Sequence, residues 1–98
     1  MKTMYVYIMT NSNNTTLYVG VTNDIVRRVW EHKNNINNGF TARYNLHKLV
    51  YYECYEDEET SIEREKNLKK AFRRIKDKLI ESQNGHWNDL YENFVPLE

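Results

Sequence analysis

Ninety-eight residues leave room for one hydrophobic core, so the chain reads as a single domain over 1–98, with its core at about 4–80 and a helical cap at 81–98. Forty per cent hydrophobic residues and thirteen aromatics exclude a disordered chain, and no apolar run is long enough to span a bilayer. One cysteine, Cys54, excludes an internal disulfide and a Cys-rich zinc site; with a start too short and polar for a signal peptide, a reducing cytoplasm is the expected location. The formal net charge of zero conceals segregation. Residues 1–52 hold six bases and two acids, 53–63 six acids and no base, 64–78 eight bases and two acids, and 79–98 four acids. A basic stretch that dense can hold phosphates, although a solvated helix with pairs such as Glu65 and Lys69 reads the same way.

Tyr5 to Thr10 and Thr16 to Thr22 are β-branched and aromatic, and Asn11 to Thr15 between them is turn chemistry, which predicts an antiparallel hairpin. A four-residue loop, Asn11 to Asn14, would pair Thr10 with Thr15 and set Tyr7 and Tyr18 on one sheet face. A five-residue loop would need a bulge, for which Gly20 offers a place. Glycine inside a strand signals either such a bulge or a close backbone approach. Asn23 or Asp24 caps a helix from Ile25 to about Asn34, and Asn34 to Gly39 is a loop. Lys48 to Tyr55 is a third strand, and its unbroken apolar and aromatic run predicts a central position. Glu58 to about Ser82 predicts a long helix, bent near Phe72 to Arg74 and ended by Asn84-Gly85. Trp87, Leu90, Tyr91 and Phe94 then form the stripe of a short last helix before Pro96. The order implies an α+β fold: a small three-stranded antiparallel sheet flanked by helices.

Amphipathic helices keep charge off the buried stripe, so exceptions carry information. In the first helix the stripe is Ile25, Val29, His32 and Ile36, with His32 on it and Arg28 one turn before it on the same side. In the long helix it is Ser61, Glu65, Leu68, Phe72, Ile75 and Leu79, with Glu65 where an apolar residue belongs. A buried carboxylate is costly unless paired, hydrogen-bonded or bound to metal. Taken singly, His32 reads as a core histidine with a backbone partner, and Glu65 as half of an ion pair with Arg28. Together, three polar groups aimed inside a small domain read as a site.

Tyr5-Val6-Tyr7 and, ten residues on, Tyr18-Val19-Gly20 resemble the paired motif of the GIY-YIG endonuclease domain. Arg28 and His32 match that family's helical Arg and the His or Tyr one turn later, and Glu65, in Ile62-Glu63-Arg64-Glu65-Lys66, matches its metal-binding Glu. The resemblance spans about residues 4–80 and is greatest to the small stand-alone bacterial members, of the URI-domain type. Tyr5 and Val6 depart from the first motif. Val21 stands where some members carry a phosphate-contacting Lys.

The resemblance implies the GIY-YIG fold and a metal-dependent endonuclease using one Mg²⁺ or Mn²⁺ on Glu65. Arg28 would hold the scissile phosphate, and Tyr7, Tyr18 and His32 are the three candidates for the group that takes the water's proton. Gly20, Arg27, Lys33, Arg43, Lys48 and Lys69 are the candidate nucleic-acid contacts. The expected substrate is DNA, preferably single-stranded, nicked or branched, in repair or processing, with a protein partner as one source of target recognition and no membrane involved. The alternative is a non-catalytic nucleic-acid-binding module in which aromatic strands stack bases. All five site residues are expected on one concave surface.

Overall fold

A computed structural model describes residues 3–36 and 39–95 of the chain. Its first strand, β1 (Met4–Thr10), is buried from Val6 to Thr10 and holds the centre of a three-stranded antiparallel sheet, ordered β2-β1-β3. The other two are β2 (Leu17–Thr22) and β3 (Lys48–Tyr55). Helices α1 (Ile25–Lys33) and α2 (Phe40–Arg43) stand between β2 and β3 in the chain. Helices α3 (Glu58–Lys70), α4 (Arg73–Gln83) and a 3-10 turn at Leu90–Asn93 follow β3. The α+β fold anticipated from the element pattern is thus present. No helix among the described residues is long and apolar enough to cross a membrane.

Side-chain alternation along β1 splits the core into two layers. Val6 and Ile8 join Val19, Val50, Tyr51, Leu68 and Ile80, the layer under α3 and α4. Tyr7 and Met9 join Ile25, Val29, Leu46 and Leu49, the layer under α1, and Leu90, Tyr91 and Phe94 pack against it. The hairpin pairs Thr10 with Leu17, so its loop has six residues rather than four. An even number preserves parity, and Tyr7, opposite Gly20, shares a face with Tyr18, opposite Met9. Asn11 closes this loop by accepting at Oδ1 from the backbone N–H groups of Thr15 (2.8 Å) and Thr16 (3.2 Å). From the far side, Arg73 donates to the carbonyls of Asn14 and Thr15.

Four expectations need correction. β3 lies at an edge, not the centre. Its run lacks alternation because a bulge at Val50, opposite Ile8 and Met9 of β1, turns both Val50 and Tyr51 to the α3 side. Its outer edge is satisfied by side chains: Gln83 exchanges two hydrogen bonds with the backbone of Tyr52, Asn84 donates to the Val50 carbonyl, and Asp89 accepts from the Leu49 N–H. The long helix does not bend but breaks, Ala71 and Phe72 taking extended backbone (ψ 146° and 152°). That break resets the phase, so Phe72 and Ile75 are exposed and Ile80 is buried. The stripe after Asn84 does not form one helix either. Trp87 takes φ 55° and packs on the α3/α4 layer, while Leu90, Tyr91 and Phe94 serve the other. Ile36, finally, falls beyond α1 and is exposed. Parts of the expected 34–39 loop (residues 37–38) and Pro96 lie outside the described residues.

Candidate active site

Asp24 starts α1 by accepting at its carboxylate from the Arg27 N–H, and Ile25 and Val29 seat the helix on the Tyr7 face of the sheet. This phase carries His32 inward, to 3% exposure. Its Nε2 lies 2.9 Å from the Tyr7 hydroxyl and its Nδ1 3.0 Å from Oγ1 of Thr41 in α2. Burial, and then the nearby positive charge of Arg28, lower the imidazole pKa to about 4, so His32 is neutral at physiological pH. Burial pushes the Tyr7 phenol well above its ordinary value, with Tyr18 adding to the effect and Arg28 opposing it. A protonated phenol beside a neutral imidazole can donate to Nε2, leaving Nδ1–H to donate to Thr41. Sequence reasoning missed Thr41. Its only signal was a small polar residue between Phe40 and Ala42 that the structure turns inward, to 6% exposure.

Tyr18 packs edge-on to His32 at 5.5 Å between ring centroids and tilted to Tyr7 at 6.3 Å. Unlike Tyr7 and His32, it is only half-buried. Gly20 explains how the Tyr7 ring reaches the margin of the sheet. A Cβ at position 20 would stand 2.5 Å from both Cζ and the hydroxyl oxygen of Tyr7, and 2.9 Å from Cε2 of Tyr18. The close approach expected at Gly20 therefore exists, and the neighbour is the Tyr7 side chain; the bulge lies elsewhere. Arg28 donates through NH1 to Glu31 Oε1 at 3.1 Å. Burial pulls its pKa down, but the Glu31 hydrogen bond and the adjacent Tyr7 and Tyr18 phenols leave it raised overall, so the cation is secure.

Glu65 does not share the face of the other four. Its helix α3 covers the opposite side of the sheet, so the five residues do not line one face. Glu65 is carried by α3, which packs against both β1 and the edge strand β2. Its carboxylate still contributes to raising the Tyr7 pKa. The side chain is 14% exposed and accepts an ion pair from Lys69 at 3.2 Å, one turn on. Lys69 and Lys76 in turn line a shallow hollow with Leu17, Tyr18, Val19 and Phe40, so both layers meet at this margin. Glu65 is not paired with Arg28, which is held by Glu31.

Among the described residues no group of three or more His, Cys, Asp and Glu could hold a metal ion. The fit is therefore that of a single hard carboxylate, with water and phosphate oxygens left to complete a shell. Of the other candidate contacts, Lys33 is engaged by Asp89 and lies over the Tyr91 ring. Arg27 is largely exposed, with Glu31 at 3.6 Å. Lys48 opens β3, half-buried, and Arg43 stands over the Tyr44 ring at 5.6 Å. In the basic run after residue 63, Arg64 is fixed on Glu53 and Arg73 on the hairpin loop, so two of its eight bases are architectural.

A family model described as the GIY-YIG catalytic domain matches residues 3–79. A UPF0213 protein of Clostridium perfringens is 35% identical over 80 residues, covering 82% of this chain and 85% of the relative. Another, from Haloquadratum walsbyi, is 35% identical over 77 residues, covering 79% and 85%. The solution NMR structure of a UPF0213 protein from Bacillus halodurans matches with a TM-score of 0.55 at 27% identity, covering 98% of this chain and 97% of that one.

Proposed function

Because the chain belongs to the GIY-YIG catalytic domain family, whose nucleases act on DNA and generally depend on a divalent metal, we propose that it is an endonuclease cutting single-stranded, nicked or branched DNA with one Mg²⁺ or Mn²⁺. The observation that carries this reading is the Tyr7–His32 hydrogen bond, set beside Tyr18 and Arg28 with the Glu65 carboxylate near enough to perturb Tyr7. Phosphodiester hydrolysis needs a positioned water, charge neutralisation on the phosphoryl oxygens and a place for the proton. Arg28, permanently charged, partly exposed and beside both phenols, suits the phosphate. Tyr18, half-buried, is the least buried of the trio and is the group assigned to the attacking water. His32, with both nitrogens occupied, cannot itself touch that water; it accepts from Tyr7 and fixes the orientation of that ring. Glu65 would hold the metal, which when bound supplies charge for the phosphate and acidity for water.

The test is a nicking assay with Mg²⁺ or Mn²⁺ on plain, single-stranded, flapped and branched DNA and on RNA, with Glu65→Gln alongside. Metal-dependent cutting of the non-duplex DNAs, lost in the variant, supports the reading. Binding to DNA without cutting under every metal would favour the non-catalytic module instead.

A further inference from the structure

Short helix α2 inverts the usual amphipathic order. It turns its polar Thr41 inward, onto His32, and leaves two aromatics of its segment, Phe40 and Tyr44, 48% and 41% exposed. Anchoring of this segment falls to Thr41 and to Leu46, which is fully buried, so the aromatics are not needed to hold it. Their rings are in contact, 4.7 Å between centroids. Phe40 continues to Tyr18 at 6.4 Å with only 30° between the ring planes. Arg43 stands over Tyr44 at the far end, and the segment from Gly39 to Tyr44 borders an open hollow of about 640 Å³. The result is a track of three aromatic rings and one cation that begins at the half-buried tyrosine of the candidate site and runs out to solvent.

We propose that Phe40 and Tyr44 form a stacking platform for unpaired bases of a DNA strand whose phosphate lies at Tyr18 and Arg28. The proposal rests on the nuclease reading for where that phosphate sits. Aromatic faces accept any base once it is unstacked from a duplex, and the Arg43 guanidinium meets the backbone charge that accompanies each base. A continuous duplex offers no free base face, so the platform selects single strands, flaps and gaps. Thr41, between the two rings in sequence, ties the platform to the His32–Tyr7 pair, so a stacked base and the reacting phosphate are held from one short segment.

Binding without cleavage isolates the platform from the chemistry. Fluorescence anisotropy in Ca²⁺ buffer compares a thymidine decamer with a decamer of abasic sites, which keeps the phosphates and removes the rings. Wild type should bind the thymidine decamer at least about tenfold more tightly, and Phe40→Ala or Tyr44→Ala should cost about tenfold on that ligand and nothing on the abasic one. Phe40→Trp should restore binding, which a merely unfolded segment would not allow. Equal affinity for the two decamers, or alanine variants that lose both ligands alike, would overturn the platform. Nicking by wild type is scored separately: cutting with no base preference in binding sinks the platform and leaves the nuclease, while base-dependent binding without cutting does the reverse.

Discussion

The molecule contains two sets of the same side chains, two tyrosines, one glutamate and one arginine, one on the edge strand β3 and the other around β1 and β2. On β3, Glu53 accepts from Tyr51 at 2.5 Å, from Tyr55 at 2.7 Å and from Arg64 through two guanidinium nitrogens at 2.9 Å. Burial opposes ionisation of Glu53, but these donors outweigh it and hold its pKa below the usual range. Nothing in that network is left to offer a ligand. Around β2 and the adjoining β1, Tyr7, Tyr18, Arg28 and Glu65 lie near one another but do not neutralise each other. Tyr7 goes to His32, Arg28 to a half-buried Glu31 and Glu65 to an exposed lysine. Identical residue types therefore make a strut where the carboxylate and guanidinium meet, and a site where they are held apart.

Exchanging the two glutamates breaks the comparison most sharply. Glu65→Gln should lower metal-dependent cutting by roughly a hundredfold or more, the scale for losing one charge-stabilising group. Its melting temperature should change little, since Gln keeps the shape and the only partner lost, Lys69, is itself exposed. Glu53→Gln should cost about 2 kcal/mol by stranding Arg64 and lower Tm by roughly 10 °C, with cutting intact below the transition. Thermal melts and nicking rates on the same preparations check both halves.

A second way to sharpen it is pH. His32 has a pKa near 4 in the folded chain against an ordinary 6.5, so the unfolded chain binds the extra proton first. Its contribution is full above pH 6.5 and is lost as pH falls toward 4, to a limit of about 3 kcal/mol. Urea titrations from pH 7 to 4 should show that slope in wild type and a flatter one in His32→Gln; parallel slopes would mean that His32 is not buried neutral. Gly20→Ala comes next. The added methyl must displace the Tyr7 ring, at about 2 kcal/mol, and should cut the nicking rate, whereas Gly39→Ala, with nothing within 4 Å of its Cβ, should do neither. Smallest is Arg28→Lys, for which we expect a rate about tenfold lower with Tm unchanged, because Lys cannot repeat a planar bidentate contact. An unaltered rate would remove Arg28 from the phosphate.

These contrasts also explain what could be read in the chain beforehand. Strand and helix starts were legible because they depend on local chemistry: β3 has the expected bounds, and Asp24 caps α1. His32 was legible because one histidine on an apolar stripe is a local anomaly. The edge position of β3 was not, since a bulge and three capping side chains 31 to 40 residues away disguise an edge as a centre. At Ala71-Phe72 the place was legible, as a bend near Phe72 to Arg74, but not the full break, since no Gly or Pro marks the spot and the anchoring contact is Arg73 on a loop 58 residues earlier. Glu53 escaped notice because the β3 run has no clean alternation from which an inward carboxylate could be read, while Glu65 stood out on a helix. The asparagines of the two expected loops fared better: Asn14 and Asn35 take positive φ, as their side chains favour.

One of the two carboxylates, Glu65 and not Glu53, should meet metal and phosphate. Backbone NMR of wild type with a phosphorothioate thymidine decamer and sub-stoichiometric Mn²⁺ reads this directly, through paramagnetic broadening of nearby amides. The amides of Tyr18, Val19, Gly20 and Glu65 should broaden first and recover in Glu65→Gln, with Tyr51 to Tyr55 and Arg64 left sharp. Broadening centred on Glu53 and Arg64, or broadening at β2 that survives Glu65→Gln, would contradict it.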